Sequence, residues 1–535
     1  MKTIKTVILS AFVAVLFYGC GGTANILSTP VENIDNITLK ESDLTDAEKQ
    51  NWGHLDLIQD TIPGMSVDKA YAEIIKNKKG KTVIVAVIDS GIDIDHEDLN
   101  AVIWTNKGEI PNNGIDDDNN GYVDDVYGWN FLGDTYDEQL EFTRILAKGD
   151  TSHPDYSRAQ AEYDESYQKY SNYKVNYEQI LQQITMADDA LTKHLGKADY
   201  SKEDVNAIQT DNEDLDKAVQ VANFMYSNGL HSLSEGKKEI TSSLESINDR
   251  LNFHLNKNFS GRKTGDDPDD MSNTSYGNGN VKPVKKSESH GTHVAGIIAA
   301  VRNNGKGANG VANNVEIMSI RAVPNGDEYD KDVALAIRYA VDNGAKVING
   351  SFGKSFSPHS DWVRDAITYA DNNDVVFVHA AGNDSADVDV IPNFPDDNID
   401  FKEISNSYIR VGALEPKYGA NLLAGFSNYG KHNVDVFAPG AKVYSTTPEN
   451  EYDTKGGTSM AAPAVAGVAA LIRSYYPSLT AAQVKRIILD SGLPITSKVV
   501  VGGDPENVKT LKEITTSGKI VNAYNALIMA DQMSK

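Results

Sequence analysis

Thr82-Val-Ile-Val-Ala-Val-Ile-Asp-Ser-Gly91 decides the fold. The seven residues from Thr82 to Ile88 are mostly β-branched and carry no charge, the signature of a strand covered on both faces and so of a parallel sheet. The run ends on a carboxylate, Asp89, followed by Ser90 and Gly91. Side chains at that end of a strand face the crevice where such sheets hold ligands. Ala345-Lys-Val-Ile-Asn349 and Asp374-Val-Val-Phe-Val-His-Ala380 repeat the pattern, each after a helical period, Lys331 to Asn343 and Ser360 to Asn373. Strand, helix and strand in alternation predict the α/β class, with a mostly parallel central sheet flanked by helices.

Between the halves of this pattern lies a different text. Residues 155–257 place apolar side chains three and four apart in three sets: Tyr163 to Leu195, Val205 to Ala222, and Ile240 to Leu255. Such spacing marks amphipathic helices. It predicts an all-helical insertion with its own seam, which could also serve as a partner arm or lid.

Composition narrows the function. The 535 residues carry 76 acidic and 50 basic side chains, a net charge of -26, which opposes nucleic-acid binding because phosphate recognition needs clustered Lys and Arg. The single cysteine, Cys20, excludes a disulfide scaffold and a cysteine zinc site. It follows Lys2, Lys5 and an apolar run, Val7 to Tyr18, too short to span a bilayer and of signal-peptide length. Gly19-Cys20 after such a run resembles a bacterial lipobox, which implies lipidation of Cys20 and an exported lipoprotein on the outer-membrane or periplasmic side. Plain secretion is the alternative. No later stretch reaches the roughly 18 apolar residues of a spanning helix.

Three distant segments carry chemistry. Asp89-Ser90-Gly91 ends the buried strand, His290-Gly-Thr-His-Val-Ala-Gly296 opens a helix of small residues, and Gly456-Gly-Thr-Ser459-Met-Ala-Ala-Pro463 sets a serine at a helix start. Pro463 is read as still within the turn whose N–H groups lack helical acceptors. Taken singly, Asp89 could be a cap, His290 a core histidine and Ser459 an exposed serine; His290 with His293 could be a metal pair, although no third ligand is in evidence. Taken together, Asp, His and Ser are the parts of an acyl-transfer site. Their order and motifs resemble the subtilisin-like serine proteases over about residues 52–150 and 258–530.

That resemblance implies a subtilisin-like fold and a serine endopeptidase acting on protein or peptide substrates, with no organic cofactor. It assigns Ser459 as nucleophile, His290 as base, Asp89 as its orienting carboxylate, and Asn383 of Ala380-Ala-Gly-Asn383-Asp384 as oxyanion donor. Ser351, Phe352 and Gly353, after Asn349-Gly350, are implied to bind extended substrate. An inactive scaffold or adhesin lipoprotein presenting the helical arm is the competing reading.

Asn113 to Asp125 spaces oxygen side chains like a calcium loop, with Gly121 at the sixth position but Tyr127 where a helix-loop-helix site has its bidentate Glu. It is read as a structural Ca2+ loop using Asp116, Asp118, Asn120 and Asp125. Similarity suggests a second calcium at Asp98 and Asn303. The expected organisation is signal peptide 1–20, tether or short pro-segment 21–51, peptidase 52–150, helical insertion 151–257 and peptidase 258–535. Asp89 and His290 stand 201 residues apart, so the insertion must leave and rejoin the domain near the site.

Overall fold

The computed structural model describes residues 38–535; the expected signal segment and Cys20 lie outside the described residues. The opening apolar run forms strand β1, Val83–Asp89, buried along nearly all its length. Its alternate side chains enter different cores. Val85 and Val87 join one cluster and Ala86 and Ile88 the other, which is why the run has no polar face.

The sheet continues through β2 (Gly128–Asn130), β3 (Val315–Arg321), β4 (Val347–Gly350), β5 (Val376–Ala380), β6 (Tyr408–Leu414) and β7 (Val436–Pro439). A separate hairpin, β8 (Val443–Thr447) and β9 (Glu451–Lys455), precedes two short strands, β10 (Leu493–Pro494) and β11 (Lys519–Ile520). The nine strands of the main sheet run in the order β10-β11-β7-β6-β5-β4-β1-β3-β2. All its pairings are parallel except β10 with β11. β1 therefore lies between β3 and β4, and it stops at Asp89, level with Arg321, while the chain after β3 and after β4 runs on. A gap one strand wide opens there, at the topological switch point.

Among the helices used below, α1 is Asp46–Asn51, α2 Glu141–Ala147, α3 Tyr156–Leu195, α4 Glu213–Ser227, α5 Leu233–Asp249, α6 His290–Ala299, α7 Asp330–Asp342, α8 Ser360–Asn372 and α9 Thr458–Tyr475. α6 and α9 cover one face of the sheet, and α7 and α8 the other. Within the insertion the 40-residue α3 joins two cores. Ile184, Leu191, Leu215, Ala222 and Leu233 form the distal one, and Phe142, Ile145, Ala159, Leu255 and Phe356 the one against the body.

Two expectations change. The set Val205 to Ala222 is two helices, because Ser201 caps a short one at Lys202–Asn206 and Asn212 caps α4. The stretch 21–51 is expected as a tether or short pro-segment, yet α1 forms at its end, where Thr45 and Glu48 make a reciprocal capping box. Among the described residues no helix is long and apolar enough to cross a membrane.

Candidate active site

β1 delivers Asp89, 1% exposed, to the switch point. The Ser90 N–H donates to its Oδ1 at 2.8 Å, and the buried Arg321 holds the Ser90 carbonyl from Nε at 2.9 Å while pairing with Glu288 at 2.8 Å. The turn after β1 is thus fixed from behind. α6 begins against it because residue 291 is glycine; a Cβ there would collide with the Gly91 carbonyl. His290, at the start of α6, places Nδ1 at 2.8 and 3.0 Å from the two Asp89 oxygens.

A carboxylate only accepts, so Nδ1 carries the proton and Nε2 keeps its lone pair. Enclosure works against the imidazolium, but the charge and hydrogen bond of Asp89 outweigh it. The His290 pKa is raised above its ordinary value, with Lys455 opposing. His293 has another role: it is fully buried, its Nε2 lies 3.1 Å from the Asp453 carbonyl, and burial holds it down at about 3. The two histidines do not converge as a metal pair.

Ser459 is the second residue of α9. Its N–H is one of the orphan donors of a helix start and has no acceptor among the described residues. The Thr458 N–H donates to Asn383 Oδ1 at 2.8 Å and the Thr458 hydroxyl does so at 3.1 Å. An N–H can only donate, so this contact orients the amide and leaves Asn383 Nδ2 as a donor beside the serine turn. Gly382 precedes it at φ 100°, where a Cβ would strike Asn428. Ser459 Oγ donates to the Ser351 carbonyl at 3.1 Å, not to His290.

Pro463 behaves differently from expectation. It lies past the four N-terminal orphan N–H groups, so its missing N–H withholds the helical bond from the Ser459 carbonyl four residues earlier. The Ser351 hydroxyl supplies that bond at 2.9 Å.

Alternation along the two edges tells which peptide groups face the gap. After β4, the Phe352 carbonyl is 2.8 Å from His379 Nε2, and Lys354 pairs with Phe394 in both directions at 3.0 and 2.9 Å. These residues turn away, so Ser351 and Gly353 turn inward. Phe352 therefore supplies a buried ring against His379 and no inward peptide group. After β3, Asn325 bonds Tyr136 and Glu138 at 2.8 and 2.9 Å, and the Asp327 N–H reaches Gln139 at 3.3 Å, all on the far side. Gly326 thus faces the gap, and beyond it Arg144 holds the Asp327 and Glu328 carbonyls from Nη1 and Nη2 at 2.8 and 3.1 Å. The peptide groups of Gly326 and Gly353 have no hydrogen-bond partner among the described residues. Gly326 escaped the sequence reading, since an edge is visible only once strands are paired.

In the acidic loop, carboxylate oxygens of Glu109, Asp118 and Asp125 lie within 4.8 Å of one another. Asn120 joins them, its Nδ2 3.0 Å from Asp125 Oδ2, and Asn106 Nδ2 reaches both aspartates at 3.0 and 2.8 Å. Asp116 is drawn off to the N–H groups of Asn120 and Gly121 at 3.1 and 2.9 Å. Glu109, missed in the sequence because it stands apart from the loop motif, also takes the N–H groups of Asp117 and Asp124 at 2.8 and 3.0 Å. Burial pushes the Asp125 carboxyl up to about 6 against its hydrogen bonds. At the second expected calcium position, Asp98 receives Asn304 Nδ2 at 2.5 Å and the Ala308 N–H at 3.2 Å. Asn303 stands at φ 58° and its N–H donates to Asn309 Oδ1 at 2.8 Å, so of the two neighbours it is Asn304 that hydrogen-bonds Asp98.

A mostly parallel sheet whose switch point gathers an aspartate, a histidine and a helix-starting serine defines the subtilisin-like class. The profile of the Subtilase family (peptidase S8) matches residues 80–510, and the chain belongs to that family. It is similar to the thermophilic serine proteinase of Bacillus sp. (strain AK1), 44% identical over 186 residues, 35% of this chain and 42% of that one. Subtilisin DY of Bacillus licheniformis is 39% identical over 197 residues (37% and 67%), and thermitase of Thermoactinomyces vulgaris 40% over 196 (36% and 64%). The chain therefore aligns with 42% to 67% of the length of these curated relatives.

Proposed function

We propose that this chain is a serine endopeptidase that hydrolyses peptide bonds in proteins through Asp89, His290 and Ser459. The observation that carries the reading is the Asp89–His290 pair, at 2.8 Å, set at the same sheet end as a serine turn tied to Asn383. Extended substrate enters the gap as an added strand between Gly326 and the Ser351–Gly353 edge. Ser459 Oγ leaves the Ser351 carbonyl, which is then free to accept the substrate's N–H, and attacks the scissile carbonyl as His290 Nε2 takes its proton. Apo contacts of this kind commonly tighten only with substrate bound.

The oxyanion is held by the Ser459 N–H and Asn383 Nδ2. His290 returns the proton to the leaving nitrogen as the C–N bond breaks. Water then attacks the acyl ester, its proton passing through Nε2 back to Ser459 Oγ, and the acid departs. Asp89 keeps the tautomer and stabilises the imidazolium.

Calcium is the proposed occupant of the acidic loop. Glu109, Asp118 and Asp125 supply hard anionic oxygens, and rotation of the Asn120 amide would present its carbonyl oxygen. The ion would neutralise carboxylates that otherwise repel. For location, the proposal is export with lipid attachment at Cys20, resting on the sequence pattern described above.

The test is labelling by a fluorophosphonate with peptide mapping, together with casein hydrolysis. Labelling at Ser459 and loss of both signals in Ser459→Ala support the peptidase. Casein hydrolysis that persists in Ser459→Ala ends it, and absence of labelling favours the inactive scaffold.

A further inference from the structure

We propose that α2 and the start of the inserted segment shorten the acyl side of the cleft, so that the edges pair with only three substrate residues before the scissile bond. This rests on the peptidase reading above and adds the length of chain the site recognises.

The inward-facing peptide groups can be followed outward from Ser459. On the β4 edge they belong to Ser351 and Gly353, after which the chain bends at Ser355; on the β3 edge to Gly326, beyond which Arg144 gathers the Asp327 and Glu328 carbonyls. An extended chain between the edges meets Ser351 with its first residue, Gly326 with its second and Gly353 with its third, because strand neighbours alternate sides. The next register is already filled on both edges. Arg144 on α2 donates from NH2 to the Glu328 carbonyl at 3.1 Å, and Lys354 Nζ crosses from the opposite edge to the same oxygen at 2.8 Å. Arg158 on α3 holds the Ser355 carbonyl from both terminal nitrogens at 3.1 Å and stacks over Phe356 at 3.5 Å.

These caps are not casual surface contacts. Lys354 and Arg144 are buried and share Glu141, at 2.7 Å from Lys354, with Asp330 2.9 Å from the same ammonium. Displacing them to admit substrate would strand buried carboxylates, a cost that one backbone hydrogen bond does not offset. Phe356 also sits in the core that joins α2 and α3 to the body, so the edge beyond Gly353 is covered as well as capped. A longer substrate must leave the slot at its fourth residue.

The experiment uses the full chain and amide substrates that share a leaving group and carry one to six residues on the acyl side. Each of the second and third residues is expected to raise kcat/KM by up to about tenfold, the worth of a backbone pairing. The fourth to sixth should change it by less than about twofold. A further tenfold rise at the fourth or fifth residue overturns the proposal while leaving the peptidase reading intact. Failure to cleave any of the series, with no serine labelling, removes both. In Arg158→Ala, a half-exposed position, the Ser355 carbonyl is uncapped but the Glu328 carbonyl before it stays held by Arg144 and Lys354, so the fourth to sixth residues should still change kcat/KM by less than about twofold. A tenfold rise at the fifth residue in this variant would show that substrate passes the Glu328 cap and overturns the proposal.

Discussion

Ser351 and Ser459 hold each other reciprocally: the Ser351 hydroxyl donates to the Ser459 carbonyl at 2.9 Å, and the Ser459 hydroxyl donates to the Ser351 carbonyl at 3.1 Å. The edge after β4 and the turn that opens α9 are therefore one unit. The first of these bonds exists because Pro463 cannot supply the helical N–H.

That origin makes a coupling experiment. Ser351→Ala leaves the Ser459 carbonyl without a partner and should cost about 1–3 kcal/mol of stability. Pro463→Ala restores a helical donor, so Ser351→Ala should cost far less in its background. Additive losses in melts of the two single variants and the double variant would show that the hydroxyl does not replace the missing bond.

The pH profile should carry the mark of Asp89. Activity needs neutral His290 and its pKa is raised above 6.5, so the acid limb of kcat/KM is expected above that value. Asp89→Asn should lower kcat by about 10⁴ and draw the limb down. Because the folded pKa is raised, the pair's contribution to stability is full below the unfolded pKa and is lost as pH rises through the folded one. Replacing Lys455, whose charge opposes protonation, by Met should move the limb upward; a downward shift would contradict the arrangement.

Asn383 separates two functions on one amide. Asn383→Asp keeps an oxygen for the Thr458 N–H but removes the Nδ2 donor, so the fold should melt nearly unchanged while kcat falls about 10²–10³. A KM effect with kcat intact would place Asn383 in binding, outside oxyanion stabilisation.

Much of this was legible beforehand. A two-faced apolar run such as Thr82–Ile88 has few structural solutions, and the motifs around Asp89, His290 and Ser459 are contiguous words whose glycines and small residues already describe a tight approach. The rest depends on pairing at long range. Gly326 becomes an edge only because Asn325 and Asp327 turn to residues 136–139, and Arg158 becomes a cap only because α3 returns to Ser355. Glu109 offers no local signal, since its ligand geometry arises from folding over Asp118 and Asp125. The bond from Asn304 to Asp98 likewise has no local signal, since it arises where the chain folds back past the left-handed residue Asn303.

Calcium should stabilise the loop by mass action, about 2.7 kcal/mol when free ion is a hundredfold above Kd. The melting temperature is expected to fall in EGTA and recover with calcium. Asp118→Asn, at an exposed position, should blunt that response. An unchanged melt on chelation would remove the ion from the account.

Glu328 supplies a pH test of the junction between insertion and cleft. It is 2% exposed, its Oε1 has no hydrogen-bond partner among the described residues, and burial pushes its carboxyl up to about 8 despite Lys354, with Asp327 and Asp330 adding to the rise. A folded pKa above the unfolded value means the protonated acid fits the site. Its stabilising contribution is complete below the ordinary carboxylate range and is lost as pH climbs through about 8. Glu328→Gln keeps the shape and removes the titration, so the melting temperature of the variant should decline less than that of the unaltered protein across that interval. The backbone carbonyl that Arg144 and Lys354 hold is untouched by the change, so peptide-length dependence should survive it. Parallel melting curves would mean that Glu328 stays charged in the fold and that Lys354 outweighs its burial.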